Sequence, residues 1–166
     1  VMFDLYDGGG LDQAYLGLAQ ADENGNVNVS RFGPRIAGCG GFIDITQNAK
    51  RVYFCGTFTA GGLKTSIKDG KLVIENEGRE PKFIKQVEQI TFSGNFAAEK
   101  GQPVMYITER AVFELRKDGV YLTEVAPGID IKTQIIDVMG FEPKIDGEVK
   151  LMDERIFKDE IMGLKK

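Results

Sequence analysis

The sequence predicts an α/β fold with a mixed sheet, and three observations predict it. Gly38, Gly40 and Gly41 open a segment in which Phe42, Ile45 and Ala49 recur at helical spacing. The apolar block Val52-Tyr53-Phe54-Cys55 follows at once and reads as a buried strand. Farther along, short apolar runs separated by turn residues give way to a second amphipathic helix. At 166 residues, with 42% hydrophobic and 28% charged, the chain suits one soluble domain that buries a real core.

The elements follow in order. Leu16, Leu18 and Ala19 form an apolar run that stops at Asp22-Glu23-Asn24-Gly25-Asn26, a turn cluster, after which Val27 and Val29 alternate with polar residues. That pattern is strand, turn, strand. The acidic turn raises calcium, but the D-x-[DN]-x-[DN]-G loop ending in glutamate is not met, which favours a plain turn. Ser30 to Arg35 forms a loop into the glycine-capped helix, and Gly56 to Lys64 forms a glycine-rich loop beyond the next strand. In open α/β sheets the carboxyl edge is where ligands bind. Leu72-Val73-Ile74, between Asp69-Gly70 and Glu77-Gly78, reads as a hairpin strand on a solvated excursion. Ile90 to Phe92, Val104 to Ile107, Ala111 to Leu115 and Val120 to Leu122 read as strands, with a turn at Lys117-Asp118-Gly119. Asp130 is an N-cap for a helix that carries Ile131, Ile135, Val138 and Met139 on one face and stops at Gly140. From Glu142 onward the charged tail is expected to wrap the surface.

Charge and composition exclude several functions. The net charge is −4 and no dense basic run precedes Lys165-Lys166, which argues against nucleic acid. No apolar stretch approaches the ~20 residues that span a bilayer, and no signal-peptide pattern opens the chain, so a cytoplasmic protein is expected. Cys39 and Cys55 lie in no C-x-x-C arrangement and read as reduced thiols. The chain has no histidine, which removes Ser-His-Asp and Cys-His catalysis and the usual imidazole metal sites. Chemistry is left to carboxylates, backbone dipoles, lysines or a cofactor. The glycine loop suits such chemistry, because bare N–H groups at a helix start favour a phosphate, a carboxylate or a developing oxyanion. The same glycines also fit a tight loop with unusual backbone angles and no ligand.

Seven segments together carry a family resemblance. They are Asp7-Gly8-Gly9-Gly10-Leu11-Asp12, Leu16 to Gln20 (LGLAQ), Asp22 to Asn28 (DENGNVN), Ala37 to Ile43 (AGCGGFI), Thr57 to Lys64 (TFTAGGLK), Ile107 to Leu115 (ITERAVFEL) and Ala126 to Asp130 (APGID). In this order they resemble the family I CoA-transferases, nearest to single-chain bacterial acetate, propionate and acetoacetate CoA-transferases. The resemblance implies an open three-layer α/β/α fold with a mixed, mainly parallel sheet. It implies that residues 1–155 are the C-terminal portion of the beta-like domain, with 156–166 a charged tail.

It further implies a ping-pong reaction through an acyl-glutamyl anhydride and a glutamyl-CoA thioester, with coenzyme A as substrate and no bound cofactor or metal. The nucleophilic glutamate is expected upstream of Val1, so the chain alone is expected to be inactive. Gly38, Cys39, Gly40 and Gly41 match the family's G-x-G-G motif beside the thioester, with Gly40 and Gly41 as oxyanion donors. Lys64 is a candidate for a CoA phosphate, and Phe32 and Pro34 for an acyl pocket. Glu75-Asn76-Glu77-Gly78 superficially matches the glutamate signature but stands in the wrong order relative to the glycines. Expected partners are an acyl-CoA, a short-chain acid, the N-terminal half of the parent chain and further copies in a homo-oligomer. Two other readings stay open at this point, an acyl-CoA hydrolase on the same scaffold and a non-catalytic CoA-binding or assembly module.

Overall fold

The structure, a computed structural model, describes Asp4 and residues 8–164. Asp7 and Lys165-Lys166 lie outside the described residues. The centre is a six-stranded sheet of β1 (Ala14–Gly17), β6 (Val52–Cys55), β11 (Val104–Ile107), β12 (Ala111–Arg116), β13 (Gly119–Val125) and β14 (Lys150–Leu151), in that spatial order. β1, β6 and β11 run parallel, β12 and β13 are antiparallel meander strands, and β14 returns parallel to β13. The mixed α/β character expected from the sequence is therefore present, with three of the five pairings parallel.

Alternation assigns the faces. Val52, Phe54, Val104, Tyr106, Phe113, Leu115, Val120 and Leu122 point into the main core. Over them lie α1 (Phe42–Asn48) and α2 (Gly94–Lys100). Phe54 is the hub: its ring packs on Phe42, Phe92 and Tyr106 at 5.1–5.8 Å between centroids. The other face is covered over β11 to β13 by the hairpin β8 (Lys64–Lys68) and β9 (Lys71–Asn76) and by the C-terminal segment, where Leu72, Met152 and Phe157 bury Val112. Leu72 is thus a core residue, and the hairpin is docked on one side rather than being a wholly solvated excursion.

Three short pairs decorate the sheet: β2 (Gln20–Ala21) with β3 (Val27–Asn28), β4 (Arg31–Phe32) with β5 (Arg35–Ile36), and β7 (Thr59–Ala60) with β10 (Glu80–Pro81). The first closes the turn at Asp22 to Asn26. Asp22 is 1% exposed, and its carboxylate accepts from the backbone N–H groups of Asn24, Asn26 and Val87 and from the Asn26 side chain. Those four bonds occupy the carboxylate, which explains why the acidic turn is a turn. Asn28 is equally buried and wires Gln20, Ser30 and Arg31 together, so residues after the turn do not alternate in and out as expected.

Other differences have local causes. Ile90 to Phe92 forms no strand, only an isolated bridge of Phe92 to Val27, because Thr91 and Phe92 both donate to the single Val27 carbonyl. The buried helical face of α1 is Phe42, Thr46 and Ala49, with the Thr46 hydroxyl satisfied by the Phe42 carbonyl and Ile45 half-buried. α2 is absent from the sequence reading: its seven residues GNFAAEK carry only Phe96 and three alanines as apolar residues, too weak a stripe to detect. The helix expected from Asp130 is short. α3 spans Ile131–Gln134, capped as expected by the Asp130 carboxylate, and continues as a 3-10 turn over Ile136–Val138. The Gln134 carbonyl that would continue the α-helix accepts instead from Arg110 at 3.1 Å.

Gly94, the first residue of α2, packs on the Asp22 turn so closely that a Cβ there would stand 2.1 Å from the Asn24 carbonyl oxygen. Gly94→Ala is expected to cost about 3 kcal/mol of stability in urea denaturation, as overpacking against backbone that cannot give. A loss under about 1 kcal/mol would mean that the turn yields freely.

Candidate functional site

The carboxyl ends of β1, β6 and β11 lie side by side, since the Leu18 N–H donates to the Cys55 carbonyl and the Gly56 N–H to the Ile107 carbonyl. The chain leaves this edge through long connections, and both glycine-bearing segments follow from it. After β1 it runs through β2 to β5 and enters α1 by Gly38 to Gly41; after β6 it enters the loop at Gly56.

The glycine loop is built for exposed backbone. Gly38 and Gly40 are exposed, Gly40 sits at φ +53°, and a Cβ on either would meet nothing within 4 Å. Gly41 is the N-cap of α1 with φ −79° and no side-chain cap. The Cys39 carbonyl accepts from Phe42 and the Gly41 carbonyl from Ile45, while the N–H groups of Gly40 and Gly41 enter no hydrogen bond among the described residues. Such uncapped donors can hold an oxyanion. Cys39 is half-buried against the core and Cys55 is exposed; both are free thiols, and burial raises the Cys55 pKa, which disfavours its thiolate. Lys64 opens β8, exposed and in register with Asn76, and no hydrogen bond or ion pair joins it to residues 38–41. Phe32 is half-buried and lines a depression with Leu18, Arg79 and Lys82, whereas Pro34 is exposed and does not.

A second construction at the same edge was not singled out from the sequence. Arg110, between β11 and β12, is fully buried. Its guanidinium holds Glu77 through two nitrogens at 2.6 and 3.0 Å and Glu109 at 2.7 Å, and lies 4.7 Å over the Phe58 ring. Glu109 also accepts from the Phe58 N–H at 2.8 Å, and Glu77 from the Thr59 hydroxyl and the Gly78 N–H. Partial burial pushes the Glu77 carboxyl up, but hydrogen bonds from Arg110 and Thr59, the Arg110 charge and the Gly78 N–H together hold it below its ordinary value. This carboxylate is committed to the arginine and is no free nucleophile, in keeping with the rejection of the Glu75-Asn76-Glu77-Gly78 match. The signal for the cluster was the charged pair Glu109-Arg110 between two apolar strands, where a buried charge must find partners. Among the described residues no group of three or more Asp, Glu or Cys side chains could hold a metal ion, and no helix is long and apolar enough to cross a membrane.

No family model matches the chain. It is 56% identical over 161 residues to the acetate CoA-transferase YdiF of Escherichia coli K12, covering 97% of this chain and 30% of that protein. It is 52% identical over 168 residues to the caffeate CoA-transferase of Acetobacterium woodii, covering 98% of this chain and 32% of that one. The acyl-CoA transferase YdiF from E. coli O157:H7, solved as a thioester complex with CoA, superposes with a TM-score of 0.95 at 56% identity over 98% of this chain and 32% of that chain. The chain therefore spans about a third of the length of the relatives it matches. The decarboxylase AibA/AibB shares the fold alone, with a TM-score of 0.69 at 19% identity over 95% of this chain and 57% of that one.

Replacing Glu77 by glutamine is expected to cost about 2 kcal/mol at pH 7, because the buried guanidinium loses one of its two counter-charges. The Glu77 pKa is lowered on folding, so its contribution is present above the ordinary value of 4.5 and is lost as pH falls through the native value. Urea denaturation of wild type and Glu77→Gln should diverge at neutral pH and converge toward about pH 3. A gap that does not depend on pH would assign Glu77 a packing role only.

Proposed function

From the premise that this chain is homologous throughout to CoA-transferases, we propose that it is the C-terminal portion of the beta-like half of an enzyme moving CoA between a short-chain acyl-CoA and a carboxylic acid. The observation that carries this reading is the match to the acetate CoA-transferase, 56% identical across 97% of this chain. In this reading a glutamate carboxylate, supplied upstream of Val1, attacks the acyl-CoA carbonyl. CoA thiolate leaves and then attacks the anhydride, yielding a glutamyl-CoA thioester and the free acid. A second acid reverses the steps.

Each attack places negative charge on a carbonyl oxygen, and preorganised N–H donors are what such a transition state needs. Gly40 and Gly41 supply them, and Gly38 and Cys39 shape the loop. Lys64, 24 residues after Gly40, is assigned to a CoA phosphate. Acetate, propionate and acetoacetate are the acids proposed, in short-chain fatty acid or ketone-body metabolism, with a cytoplasmic setting and a homo-oligomeric enzyme. Residues 156–166 are proposed to form a charged tail. β1 has no partner on its outer side among the described residues, and Tyr15 beside it is 66% exposed, which supports association there.

The parent polypeptide, incubated with acetoacetyl-CoA and trapped with borohydride, is expected to show by intact mass a modification that maps to one upstream glutamate. CoA binding without modification would move the reading to a binding module. The oxyanion role has its own test. Proline at position 41 tolerates the observed φ of −79° and deletes that one N–H. Gly41→Pro is expected to lower kcat about 100-fold, and Gly41→Ala, which keeps the donor, by much less. Equal losses in the two variants would assign the position a steric role.

A further inference from the structure

A depression of about 490 Å³ opens between the β4–β5 hairpin and the β7–β10 pair, lined by Leu18, Phe32, Arg79, Glu80, Pro81 and Lys82 among others. It lies at the carboxyl edge of the parallel strands. The Lys82 ammonium donates to the Leu18 carbonyl at 3.0 Å and stands 3.3 Å from the position a Cβ on Gly56 would take. Lys82 is half-buried and has no ion pair within 4.0 Å among the described residues. Burial depresses its pKa while the nearby Glu109 charge raises it, so its positive charge is under-compensated. Only one of its three N–H bonds is used.

The Arg79 guanidinium is exposed and enters no ion pair or hydrogen bond among the described residues. The Glu80 carboxylate, 3.6 Å from the Cβ position of Gly61, leaves two cations against one anion at the rim. Elsewhere, the charges around the largest cleft on β12 and β13 are already paired, Arg116 with Glu114 and Asp146.

We propose that this depression is a binding subsite for an oxyanion carried by a substrate of the transfer reaction, with Lys82 and Arg79 as its cations and Leu18, Phe32 and Pro81 against the adjoining apolar part of the ligand. The proposal rests on the transferase reading. Lys82 has two N–H bonds free to donate, and Arg79 offers a planar fork that matches phosphate or carboxylate. Phe32 stands on the hairpin whose base, the Ala37 N–H to the Ser30 carbonyl, leads directly into the glycine loop, so ligand seated here is coupled to Gly38 to Gly41 through four residues of chain. The same chemistry fits a phosphate of CoA or the carboxylate of the acid.

The test uses the parent enzyme and its Lys82→Gln, Arg79→Gln and Lys82→Arg variants. Steady-state kinetics would vary acetyl-CoA, its 3′-dephospho form and the acid in turn, with calorimetric titration of CoA and of acetate as an activity-free readout. Lys82→Gln and Arg79→Gln are each expected to raise KM and Kd about tenfold for one of these ligands, the scale of a lost charge-assisted hydrogen bond. Lys82→Arg should recover most of that loss. A rise for acetyl-CoA that vanishes with the dephospho form names the phosphate as the source; a rise for the acid alone names the carboxylate. The inference is overturned if Arg79→Gln leaves every KM and Kd within about twofold of wild type, since a change confined to Lys82→Gln reports the lost bond to Leu18. A wild-type parent that neither transfers CoA nor binds it sinks the transferase reading itself, an outcome distinct from an active wild type with unaltered variants.

Discussion

A guanidinium with no access to water dictates how the upper edge of this molecule is assembled. Arg110 cannot be neutralised, and burial of an unpaired cation is costly, so every group around it is recruited by charge or by a lone pair. Glu77 comes from the end of β9, Glu109 from the neighbouring position, the Gln134 carbonyl from α3 and the Phe58 ring from the loop after β6. Four segments distant in sequence are thereby held at the carboxyl ends of the parallel strands. Glu109 passes the constraint on by accepting from the Phe58 N–H, which sets the loop after β6 against the sheet.

The lower layer obeys a different economy of contacts. Phe54 and the rings around it bury area without direction, and the direction is supplied by polar groups within the core. The Tyr106 hydroxyl donates to the Gly25 carbonyl, Asn26 accepts from the Gly94 N–H, and Asp22 accepts from Val87. Gln102 closes the end of α1 by donating to the Thr46 and Ala49 carbonyls. Each of these bonds satisfies a buried group that would otherwise cost about 1–3 kcal/mol, so they specify register where apolar packing alone would tolerate slippage. The helix that follows the glycine loop is therefore anchored at its C-terminal end and left open at its N-terminus.

That asymmetry suits chemistry without histidine. A carboxylate nucleophile needs no imidazole to activate it at neutral pH, but its tetrahedral intermediates need donors that are already oriented. Backbone N–H groups at a helix start meet the need at little reorganisation cost, provided that no side chain crowds them, and the open space around Gly38 and Gly40 satisfies that condition. The cations Lys82 and Arg79 lie beyond the same edge, where long-range attraction for CoA or a carboxylate adds to the local donors.

The glycine loop, α1, β6, the meander of β11 to β13 and the Asp130 cap were legible because each is a local pattern: a period, a turn residue or a cap within a few positions of what it governs. The family likeness was legible for the same reason, carried by short motifs in fixed order. What stayed hidden depends on partners far apart in the chain. Asn28 reads as a polar alternate on a strand, yet four hydrogen bonds to neighbours brought in by the fold make it core. Glu77 reads as a hairpin charge until Arg110, 33 residues away, claims it. The helix after Asp130 has the right face for continuation, but the same arginine takes the carbonyl that continuation requires. Amino-acid order determined which segments could be helix, strand or anion-holding loop; the tertiary structure decided which charges are spent on one another and which are left to meet a ligand, because burial sets the cost of a charge and only the fold sets burial.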